Sequence, residues 1–179
     1  TLSAANYRFS PVDGVLTINK AHLTVTADDQ TRTYGAANPV LSQTITGFVN
    51  GETVSNAGIT GSATGTTTAG ASTPVGSYGI TGRVGTLSAA NYDFTPANGV
   101  MTITKATLSA IGNKVYDGQI SIGGASLTVN GVNGETFAAT GSATMATKNV
   151  QTSQNLASLA GLTLSGVSGS DLSNYENLD

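Results

Sequence analysis

Thr86–Ala106 reads TLSAANYDFTPANGVMTITKA, and Thr1–Ala21 reads TLSAANYRFSPVDGVLTINKA, with six of the 21 paired positions different. The copies lie 85 residues apart, a fixed period of the kind that marks a tandem array. Within the later copy, Tyr92 and Phe94 alternate with polar neighbours, and Met101 and Ile103 alternate with threonines. Such period-two spacing is what a strand buried on one face requires. Asn98-Gly99 stands between the two runs, as Asp13-Gly14 does between Tyr7, Phe9 and Leu16, Ile18 in the earlier copy. An Asx-Gly pair flanked by alternating runs predicts a β-hairpin.

Outward from this repeat, the phase of the alternation marks the module boundaries. Leu16 and Ile18 are even-numbered and the next run, Leu23, Val25 and Ala27, is odd, so the buried face flips within Lys20-Ala21-His22. The same flip recurs at Lys105-Ala106-Thr107. A joint of one or two residues without Gly or Pro is no flexible tether, so adjacent modules are expected end to end and nearly rigid. The chain divides into residues 1–21, the C-terminal hairpin of a preceding module; 22–106, a complete module; and 107–179, a second module lacking its closing strand. Strands are expected over Leu23–Gly35, Val40–Phe48, Ile59–Thr66 and Ser77–Val84, with an irregular crossover at Glu52–Gly58. The second module repeats the plan. Val132-Asn133-Gly134-Glu135 answers Val49-Asn50-Gly51-Glu52, Tyr116-Asp117-Gly118 answers Tyr34-Gly35, and Asn174-Tyr175 answers Asn91-Tyr92. Short strands separated by turn signals, without an amphipathic helix, argue an all-β fold: tandem small β-sandwich modules of the immunoglobulin-like kind, with a β-grasp-like module as the alternative.

Composition narrows the function classes. Charged residues make up 9% of the 179 residues and aromatics 6%, with 23 Gly and no Trp. The core of each module is therefore thin. Absence of Cys removes disulfides, thiolate metal sites and Cys nucleophiles. The formal net charge is −3, with Lys and Arg scattered singly, which offers no basic stripe for nucleic acid. No apolar run approaches the roughly 20 residues that span a bilayer as a helix, so no membrane insertion is expected.

Several motifs together resemble a known family. Ile45–Glu52, Tyr34-Gly35, the Tyr78-Gly79-Ile80 strand, Asn91-Tyr92-x-Phe94 and the closing Gly99–Ala106 run are similar to the YGX type of MBG domain. Lys114-Val115-Tyr116-Asp117-Gly118 resembles the related YDG type. Arrays of this kind belong to very large bacterial surface or secreted proteins similar to filamentous-haemagglutinin-type adhesins. The resemblance implies an extracellular stalk or filament segment supporting cell-surface adhesion. It implies no catalytic, cofactor or metal residues.

The residues themselves point the same way. The only histidine, His22, lies at a module boundary, and no Ser-His-Asp set recurs between modules, so an enzyme is not expected. No cofactor is expected either. Calcium needs clustered oxygens, for which Asp28-Asp29 and Asp117-Gly118 are the only candidates, and a solvated turn explains both. Neighbouring modules of the array are the expected partners. Other copies of the chain are a second possibility, with Val15, Leu16, Thr17, Ile18, Asn19 and Lys20 as a strand available for exchange. Surface glycans are a third, with Tyr92 and Tyr175 as sugar platforms. Alternation with apolar neighbours favours core packing for these two tyrosines.

Overall fold

A computed structural model of the chain describes residues 2–10 and 12–177. Thr1, Pro11, Leu178 and Asp179, which fall at the edges or in the interior of two of the expected units, lie outside the described residues. The first module holds seven strands: β1 (Ala21–Ala27), β2 (Gln30–Thr33), β3 (Gln43–Thr46), β4 (Thr64–Thr67), β5 (Gly76–Arg83), β6 (Tyr92–Ala97) and β7 (Gly99–Thr104). They form two sheets, ordered β3-β1-β6 and β2-β7-β5-β4. The second module adds β8 (Ser109–Gly112), β9 (Ser121–Gly123), β10 (Leu127–Asn130), β11 (Thr136–Met145), β12 (Leu156–Ser158) and β13 (Leu162–Gly166). Here the ten-residue β11 is central and pairs antiparallel with β9, β10, β12 and β13. The only helical pieces among the described residues are two three-residue 3-10 turns, at Gly124–Ser126 and Leu172–Asn174. The fold is all-β, built of small modules.

The strands follow the alternation in the sequence. Leu23, Val25 and Ala27 of β1 are buried, and so are Met101 and Ile103 of β7 and Ile80 of β5. Threonines between them keep hydroxyls on the open face, where β-branched residues suit a pleated strand.

The hairpin expected at Asn91–Lys105 is corrected. β6 and β7 do not pair with each other. β6 lies parallel to β1, with Ala21 opposite Tyr92, and β7 lies parallel to β2, with Gln30 opposite Met101. Both ladders keep the same register difference of 71 residues, so each pair is one long strand that bends from the first sheet into the second. Asp28-Asp29 and Asn98 form the bends. Asp28 Oδ1 accepts from Thr44 Oγ1 at 2.6 Å, and Asp29 Oδ1 accepts from the Val100 amide at 2.7 Å. Hydrogen bonds from Ser42 and Thr44 hold the Asp28 carboxyl below its ordinary range. These carboxylates therefore stitch the bend to β3 and β7. Asn98 Oδ1 accepts from the Gly82 amide at 3.2 Å, and Gly99 passes so close to β1 that a Cβ there would stand 2.2 Å from the Ala27 carbonyl oxygen.

The hairpin expected at 1–21 is corrected too. No strand forms over the described residues before Ala21, and Tyr7, Leu16 and Ile18 are 79%, 84% and 85% exposed. In the second copy the counterparts Tyr92, Met101 and Ile103 are buried.

Parallel pairing of the two bent strands, β1–β2 with β6–β7, makes the chain enter the first module at one end and leave at the other. The second module starts at that exit. Ala106 bridges Tyr175 in a parallel arrangement, repeating the relation of Ala21 to Tyr92. One continuous core runs across the joint: Ala27, Tyr34, Ile80, Met101, Ile103 and Ala106 from the first module pack with Val129, Phe137, Ala139 and Tyr175 from the second.

Candidate functional site: the junction between the modules

Each module carries the same latch. In the first, Val49-Asn50-Gly51-Glu52 closes a tight turn, with Asn50 and Gly51 at φ 55° and 72° and the Glu52 amide donating to the Val49 carbonyl at 3.0 Å. Asn and Gly adopt such positive φ at least cost. Tyr92 holds the turn: its hydroxyl donates to Glu52 Oε2 at 2.5 Å, receives the Val49 amide at 3.3 Å, and its ring meets Phe48 edge-on at 5.9 Å. In the second module, Val132-Asn133-Gly134-Glu135 forms the same turn and Tyr175 holds it, donating to Glu135 and receiving the Val132 amide at 2.9 Å. Its ring meets Phe137 edge-on at 5.1 Å.

What differs is what sits on the latch. In the second module, Tyr34 arrives from the end of β2 and donates its hydroxyl to Glu135 Oε1 at 2.8 Å, so that one carboxylate receives two phenols. The Tyr34 and Tyr175 rings lie edge-to-face, 5.7 Å apart at 83°. Gly35 follows at φ +82° and lies directly on Val132, which a Cβ would approach within 2.3 Å. Asn174 Oδ1 accepts from the Val75 amide at 2.9 Å, and backbone bonds tie Ala106 to Asn174 and Glu176 on either side of Tyr175. Tyr34 is delivered by a buried Arg32, whose Nη2 donates to the Gly70 carbonyl at 2.5 Å and Nε to Asn38 at 2.7 Å, fixing the loops beside it.

Burial in this junction sets its electrostatics. Tyr175 is pushed far above the ordinary phenol value, first by burial and then by its hydrogen bond to Glu135, and Tyr34 is raised by the same two causes. Tyr92 is raised by its bond to Glu52 and then by burial. All three phenols therefore stay protonated as donors over the neutral range.

The sequence-predicted residues fall on both sides of this junction. Tyr92 and Tyr175 are 2% and 1% exposed, so neither presents a ring face to a sugar, and the glycan reading of these residues is corrected. Val15, Leu16, Thr17, Ile18 and Asn19 are exposed and unpaired in any sheet, and Lys20 donates to the Ala89 carbonyl at 2.8 Å. His22 faces Asp93 across the β1–β6 ladder at 3.8 Å, both side chains open to solvent. Asp117 is held by Lys114 at 2.7 Å, a bond that lowers its carboxyl value. Among the described residues, no three His, Cys, Asp or Glu side chains gather as a metal site would need. Sequence reasoning missed Tyr34, Glu52, Val132, Glu135 and Asn174 as a working set. The signal was present in the joint recurrence of Val-Asn-Gly-Glu and Asn-Tyr in both modules.

Residues 23–102 match the family model of the MBG domain (YGX type), and residues 95–177 match that of the YDG domain. The chain joins an MBG domain to a YDG domain. The matches overlap over 95–102, within β6 and β7, where strands of the MBG domain also contribute to the core shared with the YDG domain. No curated protein and no solved structure matches the chain. MBG and YDG domains occur in adhesin-like repeat proteins and are typical of extracellular or surface proteins.

Proposed function

We propose that this MBG–YDG pair is a non-enzymatic segment of a rigid stalk in a bacterial extracellular adhesin, holding an adhesive region away from the cell surface. The observation that carries the proposal is the Tyr34–Glu135–Tyr175 junction: two domains meet with no spacer and with a hydrogen-bonded carboxylate at the centre of a buried contact. A joint of this kind resists bending, because any hinge motion uncovers Tyr34 and strips Glu135 of a donor. Entry and exit at opposite ends make each added domain lengthen the array, by about 35–40 Å if the strands run along it at ~3.3 Å per residue. Neighbouring domains of the array are the natural partners. The scattered cations and net charge of −3 support no nucleic-acid role, and among the described residues no helix is long and apolar enough to cross a membrane.

Small-angle scattering of the chain tests this. An elongated particle whose longest dimension matches two domains end to end is expected, and Tyr34→Ala should broaden the distance distribution as the joint loosens. A compact, folded-back particle would sink the proposal.

A further inference from the structure

Arg32 is 6% exposed, and among the described residues no carboxylate pairs with it. A guanidinium is tolerated at such a place only where its N–H groups find acceptors. Here Nε donates to Asn38 Oδ1 at 2.7 Å, Nη1 to the Thr33 carbonyl at 3.1 Å and Nη2 to the Gly70 carbonyl at 2.5 Å. All three acceptors belong to the MBG domain. Asn38 in turn donates from Nδ2 to the Ala69 carbonyl at 2.6 Å, so the guanidinium and one amide clasp Ala69 and Gly70 together.

The residues just beyond Gly70 are the ones that the YDG domain meets. The Ala71 carbonyl accepts from the Gly35 amide at 3.1 Å and from Asn133 Nδ2 at 3.4 Å, and the Val75 amide donates to Asn174 Oδ1 at 2.9 Å. Between these contacts lies a turn, closed by the Thr73 amide on the Gly70 carbonyl at 2.9 Å and by the Gly70 amide on Thr73 Oγ1 at 2.8 Å. One carbonyl, that of Gly70, therefore serves both the buried guanidinium and the turn that aims Val75 at Asn174. The YDG domain repeats the device. Lys114-Val115-Tyr116 answers Arg32-Thr33-Tyr34, and Lys114 Nζ donates to the Gln119 and Ser121 carbonyls at 3.2 and 2.5 Å and pairs with Asp117 at 2.7 Å. In each domain, the cation two residues before the tyrosine binds main-chain carbonyls of a loop.

We propose that Arg32 is the positioning residue of the joint: with every hydrogen bond spent inside its own domain, it shapes the 69–75 loop into the surface on which Asn133 and Asn174 dock. The loop cannot swing away without stripping an acceptor from a buried cation. Charge-assisted bonds are stronger than neutral ones, and the planar fork of an arginine reaches several acceptors at once, where the ammonium of a lysine is a point charge. A loop held in its docked shape loses little further freedom when the YDG domain meets it, so two side-chain amides suffice to fix its orientation. The inference rests on the rigid-joint reading, and its test reads the loop instead of the particle's shape. A folded-back particle in scattering sinks the stalk and leaves the role of Arg32 to be decided by exchange.

Amide hydrogen exchange on the full chain, resolved by NMR, is the test, because the Val75 amide has its acceptor across the joint. Asn174→Ala removes that acceptor and should abolish the protection of Val75; protection that survives overturns the proposal. Arg32→Met keeps an unbranched stem in the buried site without its donors. Exchange at Val75 is expected to quicken by about tenfold or more, the factor that corresponds to loss of one charge-assisted bond, while amides of the β5–β7 ladder keep their parent rates. Asn38→Ala, an exposed change that removes the Nε acceptor and the bond to Ala69, should give the same pattern in a chain that keeps its guanidinium. The proposal is overturned if neither variant quickens Val75 ahead of the ladder, whether because Val75 stays protected or because ladder and loop loosen together, as support of the MBG fold alone would have it.

Discussion

Glu135 is the residue on which the junction turns, because its two oxygens serve phenols from two domains. Tyr175→Phe keeps the ring and its edge contacts but leaves the Val132 amide and one Glu135 oxygen short of a partner. A buried group so orphaned costs about 1–3 kcal/mol, a loss that urea denaturation resolves. Alkaline pH acts on the same atoms. The three latch phenols are raised in the fold above an ordinary value near 10. Below that pH both folded and unfolded chains hold the protons and the contribution is intact. Above it the unfolded chain ionises while the folded one does not, so stability falls as pH rises. The urea midpoint is expected to drop between pH 9 and 11, and Tyr175→Phe should flatten that drop. In the sequence, the burial of Tyr92 and Tyr175 was legible from their alternation with apolar neighbours. Their carboxylate partners were not, because a Glu beside an Asn-Gly turn also suits a solvated loop, and only the fold brings it 40 residues along the chain to its tyrosine.

At the scale of the element, strand positions were largely readable and their connection was not. β5 falls where Ser77–Val84 predicts it, and β1 where Leu23, Val25 and Ala27 alternate. Val40–Phe48 shortens to β3, since Val40 finds no cover and is 90% exposed. The bend at Asn98-Gly99 was read as a hairpin because a turn and a strand that changes sheets shift the alternation in the same way. Pairing decides between them, and pairing is set by β1 and β2, some 71 residues away. The repeat offers a controlled test of the bend. Gly99→Ala forces a methyl against the Ala27 carbonyl oxygen, a backbone atom that cannot turn aside, and overpacking of this kind costs about 1–3 kcal/mol. Gly14→Ala, the same change in the earlier copy, meets nothing within 4 Å and should leave the thermal midpoint of the monomer unchanged.

For the whole molecule, the shared core predicts shared fate. MBG and YDG residues pack in one cluster through Tyr34 and Tyr175, so the chain is expected to melt in a single calorimetric transition. Gly35→Ala drives a methyl into Val132 at a positive φ and should split that transition in two without unfolding either domain at room temperature. The place of the joint was marked in the sequence by the phase flip at Ala106. The depth of the joint was not, because it depends on Tyr34 crossing 101 residues of sequence to reach Glu135. The parallel pairing of the bent strands β1–β2 and β6–β7 carries one more consequence. In the proposed stalk, tension would enter the MBG domain through β1 and leave through β7, at the ends of the two bent strands β1–β2 and β6–β7 that pair parallel. Such a pull slides the two bent strands past each other and loads every rung of the ladder at once, whereas an antiparallel pair tugged from one end unzips rung by rung. In the proposed stalk, the same arrangement makes each domain a shear-bearing link.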